Sequence, residues 1–448
     1  AAEAASSAPA RRVCICVLPF QNMSGDAEQE YFSDGISEDI TTDLSKVSAL
    51  SVTARNTAFM FKGQAVDVPD VARKLGVSHV LEGSVRKAGS RVRITAQLID
   101  GKTGDHVWAE RFDRDLTDIF AIQDEISKAI VGALKLKLLP EEKKAIENRG
   151  TSSAEAYDLY LMARQYWVSG NDGDPRRDEI ILRLCRSAIE IDPDYARAWA
   201  LMAITQAWMH HRDRQRAETG VAAAEHALEL DSNLAEPHCA LANNLAQQGR
   251  FEEAVAEIAI ALTLDPESWE ANREAGFIAF RQGRMNDAME YFRKAAASME
   301  TDCRSATMIM SCAQGLDDRE ACKAAAKDVL SRAERLLGQD RSNAAVLGYG
   351  ASALAELGER DRAKKWMRRA LLVDPDNIIL RANLACAALR IDELDEARAL
   401  IEPYLENCSA LQVRHAEMDP DLDKLRGDPS FMKMLANARE RLGIEARP

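Results

Sequence analysis

The chain has 448 residues, 46% of them hydrophobic, 29% charged and only 6% aromatic, a globular balance that excludes wholesale disorder. Its formal charge of −14 is uneven: residues 1–150 hold 20 basic against 22 acidic side chains, and the remainder 38 against 50. An acidic second part disfavours nucleic acid or an anionic membrane surface as the main partner, and no apolar run approaches the roughly 18 residues of a membrane span.

In chain order, residues 1–12 are Ala/Ser/Pro-rich and read as a flexible lead-in. They lack a signal peptide's order of basic, apolar and small-residue regions. A start at Ala1 without Met leads us to expect a processed or truncated form of a longer protein. Val13–Phe20 reads as a strand. Tyr31–Val47 places Ile36, Ile40, Leu44 and Val47 at helical spacing, with Ser33 or Asp34 able to cap it. Leu50–Ala54 reads as a second strand, and Val68–Leu75 as a helix ended by Gly76. Three strands follow, His79–Arg86, Arg91–Ile99 and His106–Arg111, separated by Gly-containing hairpin loops. Ile119, Ile122, Ile126, Ile130 and Leu134 then share one face of a helix from Leu116 to Leu138. The order β-α-β-α-β-β-β-α makes residues 13–140 a small mixed α/β domain.

From Thr151 the pattern is helical throughout, after a charged linker over 141–153. Ala254 and Ala288 lie 34 residues apart, each shortly after a Gly-Arg pair, and Ala363 and Ala397 repeat that spacing. The step from Cys322 to Ala363 is 41, two extra helical turns that preserve the buried face and lengthen the helix through Ala324–Leu337. Two earlier units fit if their turns carry insertions at Gly170–Asp174 and His210–Asp213, the latter read as a solvated turn. Helix, tight turn at Gly, helix and proline stop at a period of 34 resemble the tetratricopeptide repeat, with Leu241, Ala242, Gly249, Phe251, Ala254, Ala261 and Pro266 at the motif's positions. Six units are counted over 154–408, the last ending early at Pro403, and 409–448 reads as a capping helix and tail that buries Phe431, Leu435 and Leu442. The fold class expected is therefore an α+β multidomain chain, a small mixed domain followed by an all-α solenoid.

The first domain also carries a resemblance. Ile15-Cys16-Val17-Leu18-Pro19-Phe20, Tyr31-Phe32-Ser33-Asp34-Gly35-Ile36, Leu81-Glu82-Gly83-Ser84-Val85-Arg86, Arg93–Asp100 and Val107–Asp113 resemble the TolB amino-terminal-like domain that precedes tetratricopeptide repeats in many bacterial proteins. In that family the pair commonly follows a class III adenylate/guanylate cyclase or a winged-helix domain. Neither the cyclase's metal-binding carboxylate segment nor a helix-turn-helix stands in this sequence, so the resemblance implies a regulatory or scaffolding part without either activity.

Chemistry is sparse. There is no phosphate loop, GxGxxG, GxSxG or HExxH. The nine cysteines form no CxxC or zinc spacing and read as small buried hydrophobes in a reducing compartment. No catalytic, cofactor-binding or metal residue is expected. Arg91 and Arg93 share a strand face with Arg86 on the neighbouring strand, either a solvated face or an anion or partner-acid patch. In the repeats, Asn243, Gln247, Arg273, Phe277 and Arg281 fall at positions that face the concave groove and suit a peptide through amide bonds and carboxylate pairing. Arg273 and Arg281 should be exposed there, while Trp199, Trp269 and Trp366 should pack between helices.

These observations lead us to expect a non-catalytic interaction module of a bacterial signalling protein, binding a protein or peptide in the groove, with no cofactor; self-association is left open. One alternative is the sensory half of an adenylate cyclase or winged-helix regulator. The other is a periplasmic envelope scaffold. The unpaired cysteines favour the cytoplasm over the periplasmic side of a membrane-anchored protein.

Overall fold

A computed structural model describes residues 12–64, 66–147, 150–169, 175–212 and 218–444. The lead-in up to Arg11 and the insertion Gly170–Asp174, like Asp213 of the second, lie outside the described residues. Contacts divide the chain into two units, residues up to 162 with 187–195, and 163–186 with residues from 196 onward.

In the first unit the strands are β1 (Val13–Val17), β2 (Gln21–Asn22), β3 (Leu50–Val52), β4 (His79–Ala88), β5 (Arg91–Asp100) and β6 (His106–Asp115). They form one mixed sheet in the order β3-β1-β4-β5-β6, with β2 pairing beside β4. β1 is parallel to both neighbours, placing Ile15 opposite Val52 and His79. β4, β5 and β6 form an antiparallel meander. The helices are α1 (Glu30–Ser45), α2 (Arg55–Phe59), α3 (Val68–Leu75), α4 (Ile119–Ala133) and α5 (Pro140–Glu147). Cys16, Val80 and Ile99 cluster with Val68, Val71 and Ala72 of α3, while α1 and α4 pack on each other and on strands of the sheet. The inner strands are thus apolar at successive positions because both faces are covered.

Two expectations change here. Ser33 and Asp34 are not caps: a 3₁₀ turn over Ala27–Gln29, capped by the Asp26 carboxylate, runs directly into α1 at Glu30. Ser33 is consequently buried, and the Asp34 carboxylate meets Lys62 Nζ at 2.5 Å. The stretch read as a linker contains α5. Its Glu142 accepts hydrogen bonds from the backbone N–H groups of Leu139 (2.9 Å) and Ser48 (2.8 Å), and Ile146 is fully buried. Further along, Tyr157 OH donates to Asp39, and Gln123 Nε2 donates to both Asp39 Oδ2 (3.1 Å) and Tyr157 Oη (3.0 Å). This buried trio ties α1, α4 and residue 157 together.

From Ala154 the described residues form seven helix pairs where spacing gave six. They are α6 (Ala154–Val168) and α7 (Pro175–Ile191), which give residues to both units, then α8 (Ala196–Arg212) and α9 (Val221–Leu230), and α10 (Glu236–Gln247) and α11 (Phe251–Leu264). They continue with α12 (Trp269–Arg281) and α13 (Met285–Ser298), α14 (Cys303–Gly315) and α15 (Arg319–Gln339), α16 (Ala344–Glu356) and α17 (Arg360–Val373), and α18 (Ile378–Arg390) and α19 (Leu394–Asn407). The positions read from the sequence, Ala254, Ala288, Cys322, Ala363 and Ala397 with two earlier units, already mark seven pairs, so the count of six is one short. His210 lies inside α8, not in a turn. Pro403 does not end the last pair, since α19 continues through it to Asn407.

A strict rule links the regular pairs. The residue at the turn between the two helices has positive φ at Gly249 (80°), Gly283 (78°), Asp317 (59°), Gly358 (81°) and Asp392 (63°). This left-handed residue reverses the chain so that the next helix packs back on its partner. Five residues on stand Ala254, Ala288, Cys322, Ala363 and Ala397, all buried, small enough to let the paired helices approach. Among the described residues no helix is long and apolar enough to cross a membrane.

Candidate functional site

The first helix of each pair supplies one wall of the repeats, and the five groove residues come from α10 and α12. Asn243 Nδ2 donates to Glu274 Oε1 at 3.1 Å, and its Oδ1 accepts from Gln247 Nε2 at 2.9 Å. The Arg273 guanidinium lies over Trp208 (4.3 Å) and Trp269 (5.1 Å). Phe277 meets Phe292 edge-on with centroids 5.0 Å apart, and Arg281 lies 5.2 Å from its ring. The structure therefore brings these residues into one neighbourhood, with a correction. Arg273 and Arg281 are 2% and 3% exposed, not solvated, and every residue of α12 is buried.

The cover is the chain's own C-terminal segment. After α19 come α20 (Ala410–Met418) and a 3₁₀ turn over Pro420–Leu425. α20 lies against α10 and α12, and the 3₁₀ turn against α14 and α18. A capping box fixes the start of α20: Ser409 Oγ accepts from Gln412 N, and Gln412 Oε1 accepts from Ser409 N at 2.7 Å. His415 stacks on Phe280 at 4.9 Å. Asp421 accepts from Ser311 Oγ (2.8 Å) and from Arg390, Gln314 Nε2 donates to Pro420 O (3.0 Å), and Lys424 Nζ donates to Leu389 O (2.8 Å). The single capping helix expected for the tail is instead this segment plus α21 (Pro429–Leu442), in which Phe431 and Leu435 are buried.

Burial dominates the electrostatics. It pulls the Arg281 guanidinium down to about 10, against the attraction of Glu274, which stands 4.0 Å away. Burial, then neighbouring Asp421, pushes the Asp419 carboxyl up to about 8. Burial, then Arg281 and Arg304, holds the His415 imidazole well below its ordinary range. Cys386, Asp419 and Asp421 bring one sulfur and two oxygens within 4.8 Å of one another. The Asp421 carboxylate there is already committed to Arg390 and Ser311.

The arginines of the first unit are placed together and already matched. Arg91 Nη2 and Arg93 Nε each donate to Asp113 at 2.8 Å. Arg86 stands opposite Arg93 in the register and donates from Nε to Met23 O at 2.9 Å. Trp269 packs between helices as expected, but sequence reasoning missed that Trp167 and Trp208 cluster with it, their centroids 4.5 Å apart. Trp167 Nε1 and Arg164 Nη1 donate to Glu270 Oε1 at 2.9 and 2.6 Å, and Trp269 Nε1 donates to Asp302 at 2.6 Å. The only signal for that cluster was three tryptophans in a chain poor in aromatics.

Tetratricopeptide-repeat family models match residues 239–300 and 351–377, spanning most of α10, all of α11–α13, the end of α16 and all of α17. These residues are tetratricopeptide repeats. Over 260 residues the chain is 45% identical to a Rhizobium meliloti (strain 1021) protein named "Putative adenylate cyclase 3". That match takes 57% of this chain and 43% of the relative, so the chain spans less than half of the relative's length. Among solved structures, the anaphase-promoting-complex assembly Cut9-Hcn1 is similar over 72% of this chain and 63% of its own, at 14% identity and a TM-score of 0.42. TolB from Acinetobacter baumannii is similar over 29% of this chain and 30% of its own, at 18% identity and a TM-score of 0.22.

Proposed function

We propose that the chain is a non-catalytic regulatory module whose repeats hold a peptide segment in their concave groove. One observation carries this reading: the groove formed by α12, α14, α16 and α18 is lined to receive a short helix and a 3₁₀ turn, and residues 409–425 of the same chain fill it. The occupant is gripped through its Pro420 carbonyl, its Asp421 carboxylate and its Lys424 ammonium, which donates to Leu389 O of the groove, features any peptide of similar chemistry could offer. A protein partner carrying such a segment would compete for the groove. Asn243, Gln247, Arg273, Phe277 and Arg281 act in this reading as the buried floor that shapes it. Residues 13–140 form a TolB amino-terminal-like domain in the same reading, acting in the cytoplasm, and the arginine patch at Arg86, Arg91 and Arg93 is a second contact surface only if a partner displaces Asp113.

A second reading is favoured by the 45% identity to the protein named as an adenylate cyclase: the module whose groove opens and closes regulates a cyclase domain. The test of the first reading uses the full chain with Asp421→Ala and Leu422→Asp, which removes two anchors of the 3₁₀ turn. A fluorescent peptide of sequence 409–425 should bind this variant saturably and leave the wild type unlabelled at micromolar concentration. If hydrogen exchange shows 410–425 released in the variant and the peptide still does not bind, the groove is not a peptide site.

A further inference from the structure

Between the groove and the segment that fills it lies a partly open cavity of about 70 Å³. It is several times the ~10–15 Å³ that one water occupies by this measure. Arg281 lines it from α12. This side chain is 3% exposed, and its Nε and Nη1 donors have no hydrogen-bond partner. Among the described residues the carboxylate in salt-bridge range is Glu274, 4.0 Å off, with Oε1 already accepting from Asn243. A buried guanidinium with two idle donors is costly, and a cavity beside it marks where the missing acceptor belongs. From the covering segment Gln412, 2% exposed, lines the same cavity and also leaves its Nε2 without a partner. Its Oε1 is fixed on Ser409 N by the capping box, which settles which end of the amide is nitrogen. Two separate helices therefore bring side chains with unmatched donors to the lining of one cavity.

We propose that this cavity binds a small monocarboxylate, held by the Arg281 fork and the Gln412 amide. Nη1 lies beside Nη2 at the end of the guanidinium, the fork that pairs with the two oxygens of a carboxylate, and Nε is a further donor on the other edge. Ile379, Ala382 and Ile401 supply an apolar wall for a short carbon substituent. The charge is right for an anion. Arg304 adds a second cation to the lining, Asp421 is taken by Arg390 and Ser311, Asp419 holds its proton near neutral pH, and His415 is neutral there. The inference concerns the groove closed by residues 409–425 and does not depend on whether a partner peptide can replace them. Because Arg281 belongs to the repeats and Gln412 to the covering segment, the ligand bridges the two.

The test uses the full chain with acetate and propionate as probes, inorganic phosphate as the contrasting oxyanion, and chloride at matched ionic strength as control. Isothermal titration should show saturable binding of acetate or propionate, and Arg281→Lys, which keeps the charge but loses the fork, should weaken it at least tenfold. Independently of any variant, the Ile379 and Ile401 δ-methyl resonances of the wild type should shift on titration with acetate. No saturable binding together with unmoved methyls means the cavity holds water only, and the proposal fails. Equal affinity in a folded Arg281→Lys protein, or phosphate binding more tightly than either carboxylate, overturns the assignment as well.

Discussion

Tyr157 shows what one hydroxyl does in this fold. It joins Asp39 and Gln123 in a buried trio, so Tyr157→Phe removes a donor to a buried carboxylate while leaving the ring contact with Phe120 (5.2 Å). The expected cost is about 1–3 kcal/mol, read as a lowered urea midpoint; an unchanged midpoint would show that the trio is not structural. Asp419 makes the opposite kind of prediction. Its carboxyl is pushed up to about 8 in the folded chain from an ordinary value near 3.9 when unfolded. Between those values the folded form keeps a proton the unfolded form has lost, so this group's contribution to stability falls as pH rises from about 4 to about 8. Asp419→Asn keeps a side-chain oxygen to accept from Asp421 N and has no such slope. Its stability relative to wild type should therefore improve steadily across that window, and parallel pH curves would refute the shift. At this scale the sequence said little. Arg281 stands on a helical position that looks solvated, and only the return of residues 409–425, far along the chain, buries it.

The helix pairs were the legible part. Gly249 and Gly283 mark turns by residue type alone, and the 34-residue step finds Ala254, Ala288, Ala363 and Ala397 because close helix packing admits only small side chains there. Asp317 and Asp392 hold the same left-handed place but read as ordinary surface acids, so those two pairs are registered only by the spacing of Cys322 and Ala397. That equivalence is testable. Asp317→Gly relieves a strain of about 1–2 kcal/mol, offset in part by the greater freedom of glycine in the unfolded chain. A net gain of a few tenths to about 1 kcal/mol is expected by chemical denaturation, and a loss would mean the aspartate side chain holds the turn. Conversely, Ala288→Leu forces a branched side chain into a fully buried site and should cost about 1–3 kcal/mol. Pro403 misled for a complementary reason: proline usually stops a helix, yet α19 runs through it, with the Tyr404 ring buried next to it.

For the molecule as a whole, composition and periodicity separated the mixed sheet from the helical repeats, but the dividing point was not visible in them. A cut after residue 150 looked natural because the sequence there is charged and ends in small residues. Contacts instead group residues 151–162 with the first unit, where Tyr157 and Leu161 are buried and Leu161 fills the space above Gly35. A fragment ending at 162 should therefore melt at a higher temperature than one ending at 150, and identical melting would return the boundary to the charged stretch. The segment over 409–425 has a consequence of its own, because it is joined to the groove it fills. It begins directly after α19, and a short tether of this kind acts as a local concentration on the order of millimolar. A free peptide of equal intrinsic affinity reaches half-occupancy only at a comparable concentration. A partner present at micromolar levels must bind about a thousandfold more tightly, roughly 4 kcal/mol, so the groove responds to a strong competitor as a threshold and stays silent to weak ones.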